Sequence, residues 1–246
     1  MCGICGCSEN NHDMAVHSHG DSAMAVHAHD DHEWINIEKD IFSRNNHFAR
    51  QNQDFFSRNR ILAINMMSSP GSGKTTLLAK TISALKENIL SAVIVGDQQT
   101  EYDAAVIEAS GAPAVQINTG KVCHLDAHMI GHAVEKLPLR ERMVLFIENI
   151  GNLVCPAHFH LGEHYKIVVL SVAEGDNKPL KYPDMFRFAD LMILTKTDLL
   201  PYVEFDVDKC MDYARRIRPG LEVIALSANN GQGLTHWYQW LMQKQK

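Results

Sequence analysis

The sequence predicts an α/β protein: a mostly parallel sheet with helices on both faces, preceded by a disordered metal-binding tail. Three observations carry that expectation. From residue 60 onward, short apolar runs alternate with helix-length stretches, the pattern of a sheet covered on both sides. A loop of small residues, 68–75 (Ser-Ser-Pro-Gly-Ser-Gly-Lys-Thr), joins the first run to the first helix. Residues 1–33, by contrast, hold too few apolar side chains to bury a core.

The 246 residues suit one large domain with an appendage, and 46% hydrophobic with 21% charged residues fits a globular chain. No run approaches the roughly 18–20 apolar residues that a membrane helix needs, and the N-terminus lacks the basic and apolar regions of a signal peptide. The expected compartment is the cytoplasm. The net charge of −6 is unevenly placed: six of the 29 acids lie in residues 1–33 with no Lys or Arg, and the other 23 balance the 23 bases. A neutral body with an acidic tail offers no footprint for nucleic acid.

The tail, residues 1–33, contains a short repeat, 14–21 and 24–31, and six of the 14 histidines: His12, His17, His19, His27, His29 and His32. Such tracts are compositional signals for metal binding, against the alternative of an inert tail or tag. Cys2, Cys5 and Cys7 bring three thiols within reach of one ion; redox or disulfide chemistry is the competing use.

Residues 34–59 read as a helix, with Ile41, Phe48 and Phe55 spaced by seven as a stripe for packing on the body. The domain proper, 60–246, begins with the apolar run 61–67, suited to a strand buried on both faces. A helix is expected over 74–87, then strand 92–95, helix 101–110, strand 114–117 and helix 125–136. Strands at 144–147, 167–172, 191–194 and 223–226 and a last helix at 233–243 complete the alternation.

The loop at 68–75 matches a Walker A phosphate loop at its end, Gly73-Lys74-Thr75, although Ser68 stands where the strict pattern begins with Gly. Backbone N–H groups of Gly71, Ser72, Gly73, Lys74, Thr75 and Thr76 would cradle phosphate at a helix N-terminus. Lys74 would reach the β- and γ-phosphates, and the Thr75 hydroxyl would bind Mg²⁺. Thr195-Lys196-Thr197-Asp198 follows an expected strand where GTPases carry Asn-Lys-x-Asp. An Asp at position 198 can accept from guanine N1–H and the exocyclic amine, and adenine offers no such pair. Ser227 and Ala228 resemble the backbone loop that touches the guanine oxygen.

Asp97 and Glu148 are expected at strand C-termini, where carboxylates face the ligand crevice of an open α/β sheet. One division of labour has Glu148 holding Mg²⁺ and Asp97 positioning the attacking water; helix capping or a loop salt bridge is the alternative for each. Cys123, His124 and Cys155 form the best metal candidate in the body, with a donor set suited to Ni²⁺ or Zn²⁺. A buried apolar Cys is the competing use. His128, His132, His158, His160 and His164 are close enough in sequence to assist, but each fits an ordinary surface position.

Together these residues resemble the HypB family, GTPases that deliver nickel to nickel–iron hydrogenase. The resemblance runs from residue 61 to the C-terminus and includes the N-terminal Cys motif; it rests on the strings 67–78, 96–100, 118–127, 146–157, 176–183 and 205–210. It implies a P-loop fold of the SIMIBI class and slow GTP hydrolysis coupled to metal handling. It implies a tight nickel site at Cys2, Cys5 and Cys7, and a second site for nickel or zinc at Cys123, His124 and Cys155 near a nucleotide-dependent dimer interface. It further implies that Lys178 falls in a lysine-bearing loop that, in relatives, reaches toward the partner subunit's nucleotide. The implied partners are a second copy, a HypA-type metallochaperone and the hydrogenase large-subunit precursor. The tail histidines would buffer nickel, and Thr195 departs from the family's usual Asn. A urease-type nickel GTPase, a nickel storage protein and a P-loop metabolic kinase are the competing readings.

Overall fold

The computed structural model describes residues 29–97, 102–120 and 122–245, with side chains from residue 39 onward. Seven parallel strands form one sheet in the order β3-β2-β4-β1-β5-β6-β7. They are β1 (Leu62–Ser68), β2 (Ser91–Asp97), β3 (Ala114–Asn118), β4 (Val144–Gly151), β5 (Tyr165–Ser171), β6 (Leu191–Thr195) and β7 (Glu222–Ala225). The central strand β1 is buried along its whole length, as expected of a strand covered on both faces.

Nine α-helices accompany the described sheet: α1 (His29–Arg58), α2 (Lys74–Leu85), α3 (Tyr102–Ser110), α4 (Ala127–Val134), α5 (Cys155–His158), α6 (Lys178–Lys181), α7 (Pro183–Arg187), α8 (Val207–Ile217) and α9 (Leu234–Lys244). Side chains alternate along each strand. Ile64, Met66, Phe146 and Val169 face a layer of α2, α3 and α9, where Leu77, Ile82, Ile107 and Trp237 are buried. Ala63, Ile94, Leu145 and Ile147 face α1 and α4. Met67, Val168, Leu170 and Leu194 face α7 and α8. Burying a side chain such as Leu77 contributes about 1.5–3 kcal/mol. Trp237 keeps its polar atom satisfied by donating from Nε1 to Thr81 Oγ1 at 2.8 Å.

Several elements differ from expectation. Helix α1 begins at His29, inside the stretch expected to be tail. Its packed face is not the spaced stripe: Ile41 and Phe55 are exposed, and the buried positions are Asn45, Ala49, Asn52 and Phe56. The two asparagines dock the helix through hydrogen bonds. Asn45 donates to the His160 carbonyl at 2.8 Å and accepts from Ala127 N at 2.9 Å, and Asn52 donates to the Ala127 and Leu161 carbonyls at 2.8 and 2.9 Å. Gly162, at φ +96°, permits the close approach, because a Cβ there would meet Asn52 Cβ at 2.6 Å. Helix α8 was not expected, although Val207, Cys210, Ala214 and Ile217 recur at helical spacing and pack on the layer of Met67, Val168 and Leu170. Glu148 is not at a strand end, because β4 runs on to Gly151. No helix among the described residues is long and apolar enough to cross a membrane.

Candidate functional site

The small-residue loop leaves β1 after Ser68 and enters α2 at Lys74, at the C-terminal edge of the sheet. Gly71 and Gly73 take φ of +73° and +94°, which only glycine adopts without strain. A third glycine, Gly151 on β4, lets the loop lie close, since a Cβ there would meet Pro70 Cα at 2.8 Å. The loop forms one wall of a cleft of about 600 Å³, lined also by Asp97, Asp103, Glu148 and Lys196. Lys74 Nζ donates to Ser68 Oγ at 2.5 Å, so the residue that departs from the strict motif provides a seat for the lysine. Burial lowers the Lys74 pKa, opposed by the charge of Glu148.

Thr75 Oγ1 donates to Glu148 Oε1 at 2.7 Å. Burial pushes the Glu148 carboxyl up to about 6, against the pull of Lys74 and the Thr75 hydrogen bond. Among the described residues, buried side-chain oxygens without a hydrogen-bond partner include Glu148 Oε2, Ser72 Oγ and Thr197 Oγ1. All three belong to segments that the sequence assigned to nucleotide binding. A buried acceptor left unsatisfied is costly, so each marks a place suited to a ligand atom. Asp97 ends β2, and its carbonyl accepts from Thr119 N at 3.0 Å.

Two acids near this cleft escaped the sequence reading. Asp103, in the first turn of α3, lines the cleft and acts electrostatically on both Lys74 and Glu148. Glu174 accepts from Ser69 Oγ and from Ser171 N, and burial raises its pKa. Asp103 sits in no motif with a fixed spacing, whereas Glu174 closes a Ser-x-x-Glu capping box with Ser171, a spacing that the sequence carries.

The base loop is tied directly to the phosphate loop. Thr195 Oγ1 donates to the Ser72 carbonyl at 2.6 Å, and Lys196, at φ +59°, donates from Nζ to the Gly71 carbonyl at 2.7 Å. Thr195 therefore provides an anchor where the usual Asn is missing. Asp198 accepts from Ser227 Oγ at 2.6 Å and Asn229 Nδ2 at 3.4 Å, and the Ser227 bond leads in holding its carboxyl below the ordinary range. Ala228 lies in the turn closed by the Ser227 N to Gln232 O bond of 2.8 Å. Lys178 is not among the residues lining the cleft; it opens α6 with Nζ 5.4 Å from the centre of the Tyr182 ring.

Cys123, His124 and Cys155 come together as expected, with one donor atom from each all within 4.8 Å of one another. The two sulfurs are 3.0 Å apart, and Cys123 Sγ lies 3.9 Å from His124 Nδ1. His124 is buried and stacked on Phe159 with ring centres 3.9 Å apart, and burial lowers its pKa, favouring the neutral imidazole that a metal requires. Asn149 links this cluster to the cleft. Its Oδ1 accepts from Leu125 N at 3.2 Å, next to His124, while its chain neighbour Glu148 meets Thr75. Asn149 Nδ2 in turn donates to Asn65 Oδ1 at 3.2 Å.

Three of the nearby histidines have structural partners instead. His164 Nδ1 accepts from Ala63 N at 3.1 Å, His158 lies 3.4 Å from Asp184 and His160 lies 3.3 Å from Glu163. Cys2, Cys5, Cys7, His12, His17, His19 and His27 lie outside the described residues. His29 and His32 fall at the start of α1, outside the described side chains.

Residues 62–225 match the sequence family described as CobW/HypB/UreG, nucleotide-binding domain. The chain is 56% identical over 207 residues to hydrogenase maturation factor HypB of Azotobacter vinelandii, covering 84% of this chain and 68% of that protein. It is 51% identical over 225 residues to hydrogenase maturation factor HypB of Escherichia coli K12, covering 92% and 78%. Among solved structures, HypB from Helicobacter pylori in complex with nickel superposes with a TM-score of 0.78 at 37% identity, over 82% of this chain and 95% of that one.

Proposed function

The chain belongs to the HypB family of hydrogenase maturation factors, which are P-loop GTPases, and we propose that it couples GTP hydrolysis to nickel delivery for a nickel–iron hydrogenase. The observation that carries this reading is the sharing of β4 by two kinds of chemistry. Glu148 on that strand meets Thr75 of the phosphate loop, and Asn149 beside it holds the backbone next to His124. The nickel complex of the Helicobacter pylori relative supports nickel as the cargo.

In this reading the backbone of Gly71–Thr76 cradles the phosphates, and Lys74 serves the β- and γ-phosphates. The partnerless Glu148 Oε2 beside the Thr75 hydroxyl fits a hard divalent cation, so we assign Mg²⁺ to Thr75 and Glu148 with Asp97 at its side. When bound, that ion neutralises phosphate charge. Asp97 orients the attacking water. Asp198 reads guanine, aided by Lys196 and the Ser227–Ala228 turn. Cys123, His124 and Cys155 hold nickel or zinc, a choice that the donor set leaves to the cell.

The division into a tail (1–33), a helical segment (34–59) and a GTPase domain (60–246) follows the same reading. Cys2, Cys5 and Cys7 form the tight nickel site, and the tail histidines buffer further ions. A homodimer formed with nucleotide or metal would let Lys178 reach the partner subunit's nucleotide. A HypA-type metallochaperone and the hydrogenase large-subunit precursor complete the set of partners, in the cytoplasm. The relatives named for hydrogenase maturation argue for this reading over a urease-type one.

The test is nickel affinity of the full chain with GDP and with a non-hydrolysable GTP analogue, together with GTP turnover. Because linkage is reciprocal, a coupling of about 1–3 kcal/mol would change affinity roughly 5- to 150-fold between the two states. Cys155→Ala should shrink that difference while leaving nucleotide binding in place. Many ions per chain with no GTP turnover would instead support a storage protein.

A further inference from the structure

Close to the thiol–imidazole cluster lies a buried ion pair that neither the nucleotide cleft nor the candidate ligand set uses. Glu163 and Lys166 leave only 1% and 11% of their side chains exposed, with Lys166 Nζ 3.7 Å from Glu163 Oε1. Taking two charges out of water costs several kcal/mol, roughly, unless their remaining donors and acceptors are also satisfied. In this chain they are satisfied by groups on either side of the cluster.

Lys166 holds the segment that follows Cys155. Its Nζ donates to the Ala157 carbonyl at 2.9 Å and the Phe159 carbonyl at 3.2 Å. Ala157 belongs to α5, which Cys155 opens, and the Phe159 ring stacks on His124. Burial lowers the Lys166 pKa, opposed by the charges of Glu163 and Asp190. Glu163 reaches the other side through a relay of buried amides. Its Oε2 accepts from Leu161 N at 2.6 Å, and its Oε1 accepts from Asn65 Nδ2 at 3.2 Å. Asn65 Oδ1 accepts from Asn149 Nδ2, and Asn149 Oδ1 accepts from Leu125 N, the chain neighbour of His124. An ionised carboxylate can only accept, so Glu163 dictates which end of Asn65 faces it. That choice fixes Asn149 in turn, and leaves an oxygen for the Leu125 N–H.

We propose that Glu163 and Lys166 are positioning residues for the metal cluster, holding the segments that carry His124 and Cys155 at the spacing of one ion before the ion arrives. The inference rests on the reading of Cys123, His124 and Cys155 as a metal site. Groups that orient ligands without touching the metal are typically worth about 10- to 100-fold in its affinity. The relay also crosses β1 at Asn65, on the strand that runs into the phosphate loop, so the support of the metal ligands shares a strand with the nucleotide site. The competing account is an ion pair that only stabilises the fold.

The test titrates CoCl₂ into the full-length chain with Cys2, Cys5 and Cys7 replaced by Ser, followed by the thiolate-to-cobalt absorption band. Histidines of the tail give no such band, so the signal reports the cluster. Glu163→Gln offers one acceptor oxygen to two donors, Asn65 Nδ2 and Leu161 N. It should weaken Co²⁺ roughly 10- to 100-fold and alter the visible spectrum of the bound ion, with GDP binding retained. Asn65→Ala cuts the relay but leaves Glu163 beside Lys166, and a loss of the same order is expected. Variants that unfold more easily yet keep the parent's cobalt affinity and spectrum would overturn the proposal. A parent chain without the band would overturn the reading of the cluster itself, and the proposal with it. In the unsubstituted, metal-free chain, the Leu125 amide should exchange slowly with deuterium in NMR spectra. Exchange as fast as that of an unstructured amide would overturn the proposal whether or not the variants fold.

Discussion

Thr195 Oγ1 donates to the Ser72 carbonyl at 2.6 Å, joining two loops that lie 123 residues apart in sequence. With Lys196 bound to the Gly71 carbonyl, the base loop and the phosphate loop form one unit. Thr195→Val keeps the shape and removes the donor, leaving a buried carbonyl unsatisfied. We expect a stability loss of about 1–3 kcal/mol in denaturant unfolding. An unchanged midpoint would mean that the carbonyl finds another partner.

The pKa of Glu148, raised from 4.5 to about 6, predicts a dependence on pH. Because the fold favours the neutral carboxyl, the favourable contribution is fully present below 4.5 and is lost as pH rises through about 6. Glu148→Gln should therefore stabilise the nucleotide-free chain at pH 7.5 by about 2 kcal/mol, with the gain vanishing near pH 4.5. The same variant should lose Mg²⁺-dependent GTP turnover. A pH-independent gain in the unfolding curves would refute the electrostatic origin.

Asp198 is positioned as an ionised acceptor by Ser227 and Asn229. Asp198→Asn presents a donor on one side and should weaken GTP roughly 10- to 100-fold, the worth of a hydrogen bond to a charged group. Xanthosine triphosphate should gain affinity. Competition binding against labelled GDP checks both; no change in either would mean that the base is read elsewhere.

Asn52 fixes α1 to the body through the Ala127 and Leu161 carbonyls. Asn52→Leu leaves both carbonyls without their partner, and the expected loss is about 2–4 kcal/mol of stability. Ala127 begins the helix that follows Cys123 and His124, so nickel affinity at that cluster should fall too. Wild-type stability in the variant would show the asparagine network to be incidental.

The sheet was legible because its strands are apolar runs bounded by turn residues, and all seven appear within a few residues of their expected limits. The phosphate loop and the Cys123–His124–Cys155 cluster were legible because their chemistry needs particular residue types. Helix packing was less so. The buried face of α1 is carried by Asn45 and Asn52, which read as solvent-facing until their carbonyl partners across the fold are known. Asp103, Glu174 and Asn149 were hidden for a related reason: each acts on residues far away in sequence. Thr195 read only as a departure from the family's usual Asn, and its hydroxyl supplies the tie to the phosphate loop.

Strand β4 lies between β2 and β1, although the chain makes both of those first. Roughly 80 residues separate the end of β1 from β4, and at about 5–20 residues per second their synthesis takes on the order of 4–16 s. Throughout that interval two largely apolar strands have emerged, or are emerging, with no common neighbour to pair with. Late insertion of a middle strand is slow, and open strand edges invite association with other chains. The strand that brings nucleotide and metal chemistry together is thus also the one on which successful synthesis of the whole protein waits. A ribosome stalled before residue 151 would release a chain with neither site and a strong tendency to aggregate.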